Sequence, residues 1–170
     1  MRLFIFCFFI SNFVFSQNDI FSVARNGTID DVKEIYSKQP AQLDSINSKG
    51  FSPLILATYS SNNEVAKFIV DNSKNLNYSS NSGTAVMAAT FKNNVTILEY
   101  LLKKGANPNL TDANGQTAVF LTVFTANIEV LQLLLNNNAS ISLRDKNNKL
   151  ALDYALLMGN QNIIKLLNNK

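Results

Sequence analysis

The chain has 170 residues, 46% hydrophobic and 16% charged, which suits one folded domain and excludes an intrinsically disordered protein. Lysine plus arginine number 15 against 12 acidic residues, an excess too small to indicate nucleic acid or an anionic membrane. There is no histidine and one cysteine, Cys7.

The first stretch, MRLFIFCFFISNFVFS, has an early positive charge at Arg2, a dense apolar run from Leu3, and smallish residues at the −3 and −1 positions of a cleavage site after Ser16. This is the pattern of a secretory signal peptide over 1–16. A membrane anchor is the other reading, and it holds if the segment stays uncleaved. Ser11 and Asn12 interrupt the run, and it falls short of the roughly 20 residues that span a bilayer. Cleavage would leave a mature chain without cysteine or histidine. It would have no disulfide even in an oxidising compartment, and it would lack the commonest nucleophiles, bases and soft-metal ligands. A periplasmic or secreted location follows from this reading, with no stable membrane insertion after cleavage.

From residue 17 onward one layout recurs. DIFSVARNGTIDDVKEIY from Asp19 reads as a degenerate first copy. GFSPLILA begins at Gly50, SGTAVMAA at Ser82, GQTAVFLT at Gly115 and NKLALDYA at Asn148, with starts 32, 33 and 33 residues apart. Each is followed by a short polar break and a second apolar segment: EVAKFIV, VTILEYLL, IEVLQLLL and NIIKLL. Every unit therefore reads as helix, tight turn, helix, long loop, over approximately 18–49, 50–81, 82–114, 115–147 and 148–170. Ser52 can cap a helix whose first position is Pro53, and Thr84 and Thr117 occupy the same capping position. Val95, Leu98, Leu101 and Leu102 have the spacing of one buried helical face. Gly105 ends a helix where positive φ is favoured, and Asn138 holds the equivalent place. The linkage from Ser37 to Lys49 is irregular.

Residues 84–115, TAVMAATFKNNVTILEYLLKKGANPNLTDANG, resemble an ankyrin repeat at Thr84, Ala89, Leu101, Leu102, Gly105, Ala106, Asn109, Asp112 and Gly115. The resemblance covers nearly the whole chain after the leader. It implies an all-α ankyrin solenoid of about five helix-turn-helix units with hairpin-like loops, whose tips project side by side and whose units share one core. The end units should act as caps. Asp30, Asp31, Lys33 and Glu34 make the first unit's second helix polar outside, and Asn162, Lys165, Asn168 and Asn169 do so for the last. The family's proline survives only at Pro53. Its histidine is replaced by Ile55, Met87, Phe120 and Asp153, so neighbouring loops are expected to be held more by packing than by a hydrogen-bond network. Asp153 is expected to make a local hydrogen bond, and Asp112 and Asp145 match the family's hairpin aspartate as turn formers.

No Walker A or dinucleotide glycine pattern is present. Glu64 and Glu129 fall in the first turns of second helices, where the helix dipole favours an acid, and read as solvated charges. No insertion is long enough for a catalytic lid. The chain is therefore expected not to be an enzyme, and to hold no cofactor or metal. A small-molecule site would require a deep pocket with convergent polar groups, which the sequence does not predict.

The resemblance implies that partners meet the concave side, made of hairpin tips and the exposed face of the first helices. By register, the position near the end of each first helix is Tyr59, Phe91, Phe124 and Leu157, followed by Ser60, Lys92, Thr125 and Met158. The position after the hairpin turn is Phe51, Gly83, Gln116 and Lys149, and the tips add Lys49, Asn81, Asn114 and Asn147. Tyr59, Phe91, Phe124 and Leu157 either form an apolar stripe that docks a protein or fold inward as core. Expected partner-binding residues are Phe51, Tyr59, Phe91, Lys92, Gln116, Phe124, Lys149 and Leu157.

The short phenylalanine-rich leader and the Asn/Lys/Ile-rich composition resemble those of an AT-rich bacterium. Asn-x-Ser/Thr sequons at Asn26, Asn77, Asn94, Asn109 and Asn138 are accordingly read as a product of asparagine abundance. The resemblance and the leader together imply an exported, monomeric module that binds a protein. Its partner is an envelope enzyme that it protects, a toxin that it neutralises or, on the alternative reading, a host protein met by a secreted effector. Nucleic-acid binding is not expected, because Lys49, Lys92, Lys146 and Lys149 make too thin a basic set.

Overall fold

The computed structural model describes residues 19–168, so the leader over 1–16 and the terminal Asn169 lie outside the described residues. The described helices are α1 (Ile20–Asn26), α2 (Ile29–Lys38), α3 (Pro53–Tyr59), α4 (Asn63–Asn72), α5 (Ala85–Phe91), α6 (Val95–Lys103), α7 (Ala118–Thr125), α8 (Ile128–Asn136), α9 (Ala151–Met158) and α10 (Gln161–Asn168). A 3₁₀ turn, Pro40–Asp44, fills the irregular linkage after α2. Among the described residues there are no strands beyond the isolated bridges Ser80–Gly83 and Arg144–Leu150. None of the helices is long and apolar enough to cross a membrane.

The helices form five antiparallel pairs. The first helices stack in a row, α1 on α3, α3 on α5, α5 on α7 and α7 on α9, while α2 packs on α4, α4 on α6 and α8 on α10. One core runs along the stack, from Ile20 and Val23 through Ile69, Leu98, Leu101 and Phe120 to Leu131, Leu134 and Ile163. No single pair could bury such a face alone, which is why the units must be stacked. On α6 the buried face is Ile97, Leu98, Leu101 and Leu102. Val95, expected to belong to it, is half-buried because it stands at the helix start, beside the turn.

The starts of the first helices follow the capping logic with two exceptions. The Ser52 and Thr84 hydroxyls accept from the amides of Ile55 and Met87, each at 3.3 Å. Thr117 stands at the same position but makes no side-chain cap bond, and its buried Oγ1 has no partner. At α9 the cap residue is Leu150, and Asp153 compensates by accepting the Leu150 amide at 2.8 Å. This is the local hydrogen bond expected of Asp153.

The tight turn inside each of the last four units has a fixed recipe. Ser61, Asn93, Ala126 and Gly159 occupy one register position, and all have positive φ, at 58°, 52°, 52° and 70°. The next residue is asparagine in all four units: Asn62, Asn94, Asn127 and Asn160. The side chains of Asn94, Asn127 and Asn160 accept from the amides of Ile97, Val130 and Ile163, capping the second helices. Asn62 instead donates back to the Gly27 carbonyl of the preceding unit at 2.8 Å. Ala126 is the residue least suited to the left-handed turn, because its Cβ crowds the following carbonyl. Ala126→Gly should therefore raise stability by about 1 kcal/mol, read as a higher urea midpoint. A lower midpoint would contradict the turn assignment.

The loops are not held by packing alone, contrary to the expectation drawn from the missing histidine. Asp44 accepts from the Ser73 hydroxyl and from the amides of Lys74 and Asn75. Asn77 accepts the Asn107 amide at 2.8 Å. Asn109 accepts the Ser140 amide at 2.7 Å and donates to the Asn138 carbonyl at 3.0 Å. Backbone bonds tie tip to tip, from the Ala113 amide to Asn81 and from the Lys146 amide to Asn114. Short amide and carboxylate side chains spanning adjacent loops do what the histidine would have done. Asparagine abundance is thus structural at these positions.

Candidate functional site

The concave wall begins at the hairpin tips. Asn47, Asp112 and Asp145 each use one side-chain oxygen to accept two backbone amides of their own turn: Lys49 and Phe51, Asn114 and Gln116, Asn147 and Lys149. This fixes Phe51, Gln116 and Lys149 at the inner end of each tip. The second tip in chain order is one residue shorter, running from Ser80 to Gly83, which accounts for the single 32-residue spacing. Its left-handed residue is Gly83, with φ of 98°, and a Cβ there would collide with the Met87 side chain. Glycine thus lets Met87 lie against the tip.

Asp145 is the buried member of the three, at 6% exposure. The Tyr154 hydroxyl donates to its other oxygen. That hydrogen bond, helped by the Lys149 and Asn147 amides and opposed by burial, holds the Asp145 carboxyl below the usual carboxylate range, and the same contact raises the Tyr154 phenol. A carboxyl depressed on folding stabilises the native state above its unfolded pKa, and this contribution disappears as pH falls through the folded value. Asp145→Asn should lower the urea midpoint at pH 7, and the gap from wild type should narrow as pH falls through and below the usual carboxylate range. A gap independent of pH would contradict the ionised state of this carboxyl.

Behind the tips stand the first helices. Tyr59, Phe91 and Phe124 are about half exposed, at 51%, 52% and 47%, and Leu157 is 81% exposed. The inward-folded alternative therefore fails: these side chains are not core. They do not form one unbroken stripe either. Tyr59 and Phe91 stack with ring centroids 6.1 Å apart and planes 8° from parallel, and the Lys92 ammonium lies 5.2 Å from the Tyr59 ring centre. Phe124 instead meets the edge of Tyr154 at 5.7 Å. The cause is the residue at the register position of Leu56, Ala88 and Leu121. In the last unit it is Tyr154, which is large enough to reach back to Phe124.

An open groove of about 560 Å³ runs along the concave side of α3 and α5. Its floor is Ile55, Leu56, Met87 and Ala88, with Leu121 at one side. Its rim includes Arg25, Phe51, Tyr59, Phe91, Ser82 and Asp112. The structure thus brings together Phe51, Tyr59 and Phe91 of the expected residues, with Lys92 beside them. Phe124, Gln116, Lys149 and Leu157 lie further along the same side and do not line this groove. Sequence reasoning missed Arg25 and the apolar floor. Ile55 and Met87 stand where the family has a polar residue, so the floor's apolar character was in the sequence, but the channel above it arises only from α3 packing beside α5.

At the C-terminal end, the expected cap is only partly polar. Asn162, Lys165 and Asn168 are exposed as anticipated, but Leu156, Leu157 and Met158 are exposed beside them. Leu156 stands where Val123 is fully buried by the next unit. The opposite flank carries a charged network: Lys104 pairs with Asp71 at 2.5 Å, and the Tyr100 hydroxyl donates to the same carboxylate. Lys104 first, then Tyr100, lowers the Asp71 carboxyl. This network joins α4 to α6, away from the groove.

Among the described residues no cluster of three acidic or sulfur ligands is arranged to hold a metal ion. The groove's polar atoms are few and mostly engaged in caps and turns, as with Ser82, Thr84 and Asp112. The arrangement offers a shaped apolar contact surface and no evident set of reacting groups.

A family model described as ankyrin repeats in three copies matches residues 20–112 and 105–170. Among curated proteins, the ankyrin repeat and SAM domain-containing protein 6 of Rattus norvegicus is 33% identical over 99 residues, and that of Mus musculus is 32% identical over 99 residues. Each match covers 57% of this chain and 11% of the relative's length.

Proposed function

Because the chain belongs to the ankyrin repeat family, we propose that it is a non-catalytic module that binds a partner protein through its concave face and hairpin tips. Ankyrin repeats are in general modules of protein–protein interaction. The observation that carries the reading for this chain is the stacked, half-exposed pair Tyr59 and Phe91 at the groove, with Phe124 half-exposed further along the same side. Isolated apolar side chains on a surface need no explanation, but rings gathered beside an apolar groove suit an interface. Aromatic side chains supply contact area at small entropic cost and are over-represented among residues that dominate binding.

The leader over 1–16 supports export, and with it action in the periplasm or outside the cell as a monomer. Under that reading the partner is an envelope enzyme that the module shields or a toxin that it neutralises. Delivery to a host cell is the alternative. Fold alone does not select between them, because a repeat scaffold takes its function from its surface.

A photo-crosslinking amino acid at position 91, and in a second variant at Glu99 on the outer side of α6, tests the reading. The chain is exposed to envelope and secreted extracts of the source organism. Position 91 should capture a discrete protein and position 99 should not. Capture of the same protein from position 99 alone would place the interface on the wrong side.

A further inference from the structure

The groove has an apolar floor, with Arg25 and Asp112 on its rim and Lys92 beside it, and charge follows a division running through the molecule. All four glutamates, Glu34, Glu64, Glu99 and Glu129, lie on the second helices α2, α4, α6 and α8. Helices α1, α3, α5 and α7 contain no carboxylate. Toward the concave side the chain presents Arg25 at the end of α1, Lys92 at the end of α5, and Lys49, Lys146 and Lys149 at the tips. All five are exposed, and among the described residues none forms an ion pair. Three carboxylates lie on that side and keep their charge, Asp112 and Asp145 closing their own turns and Asp153 capping α9, so the five cations outnumber them. The second helices carry the glutamates together with neutralising lysines, as in the Lys38–Glu34 pair at 2.6 Å.

We propose that the groove seats one bulky apolar side chain from an extended, acidic segment of the partner protein. The side chain lies on Ile55 and Met87, between Phe51 and the Tyr59–Phe91 stack, and flanking carboxylates meet Arg25 and Lys92. The inference rests on the concave-face reading above and adds the chemistry of the partner. Three features select this occupant. The floor has no convergent polar atoms, so a polar head group finds little to bind. Arg25 lines the groove with no charged partner among the described residues, so an incoming carboxylate completes it. The cations are spaced along the tips and helix ends, which suits an elongated chain with several charges better than a compact anion.

The test is selection of peptides by the purified chain from a displayed library of random twelve-residue sequences, followed by fluorescence anisotropy of the enriched peptides. The expected result is a shared aromatic or large aliphatic residue with Asp or Glu nearby. Affinity should fall as salt rises. An Arg25→Glu/Lys92→Glu variant, with its unfolding midpoint measured to confirm the fold, should weaken binding at low salt by about tenfold or more. Phe91→Asp should abolish it.

Enriched peptides that are neutral or basic would overturn the acidic partner. So would equal binding to the charge-reversed variant. In both cases loss of binding in Phe91→Asp would leave the concave-face reading standing. Peptides that bind Phe91→Asp as well as wild type would overturn both. Failure to enrich any peptide, or displacement of the peptides by a single-stranded oligodeoxynucleotide at equal charge, would also overturn the proposal.

Discussion

Replacing Phe120 by alanine is expected to destabilise the chain by about 3–5 kcal/mol, enough to unfold a marginal domain. Phe120 is 1% exposed and heads the largest fully buried side chains of the described core. It lies in α7, between the pairs α5/α6 and α9/α10, and its ring meets the edge of Tyr154 at 6.0 Å. Truncation removes the ring from the interface that couples the last unit to the rest. In a stacked array, stability is the sum of each unit's own stability and its contacts with neighbours. The loss should therefore fall most heavily on α9 and α10, which have a neighbour on one side only. Urea denaturation followed by circular dichroism gives the total. Hydrogen exchange should show α9 and α10 opening before α3 to α6. A loss below about 1 kcal/mol would mean that the neighbours close over the site.

The second large effect is on binding. Phe91→Asp/Phe124→Asp is expected to weaken partner binding by at least about 30-fold, the scale of one dominant interface residue. The same variant should shift folding stability by less than about 1 kcal/mol, the range for exposed sites with few contacts. The two rings are about half exposed, and each makes one ring contact among the described residues: Phe91 with Tyr59 and Phe124 with Tyr154. Aspartate gives up those contacts and places charge on the face without burying it. A large stability loss would return the rings to the core. Unchanged affinity would move the interface to other residues. Comparing each single variant with the double tests the gap between Phe91 and Phe124, because separate clusters should act nearly additively.

Much of this architecture was legible in the sequence because a 33-residue period repeats its own signals. Ser52 and Thr84 announced helix starts, Gly105 a helix end, and the paired leucines of VTILEYLL a buried face. Repetition also made Tyr59, Phe91, Phe124 and Leu157 visible as one register position, and the structure leaves all four exposed. What escaped depends on contacts between units. Asn109 reaches Ser140 and Asn138 across 31 and 29 residues, and no local pattern shows such a partner. The loss of the family histidine suggested loops held more by packing than by hydrogen bonds, yet short amide and carboxylate side chains bridge them. The groove floor was hidden because Ile55 and Met87 read as ordinary core on their own helices. Only the stacking of α3 beside α5 opens a channel above them. The break in the aromatic stripe had a single-residue cause in Tyr154, visible in register but overlooked beside three smaller residues. The four consecutive asparagines at 62, 94, 127 and 160 were likewise readable and carried the cap of each second helix after the first two.

The central claim is that partners meet the first helices and hairpin tips and leave the second helices free. Hydrogen–deuterium exchange of the chain, alone and bound to the protein captured by position 91, tests it most directly. Protection is expected in segments 47–60, 80–92 and 112–125, with α2, α4, α6 and α8 exchanging as in the free chain. Protection confined to those second helices would contradict the account and place the interface on the opposite side of the solenoid.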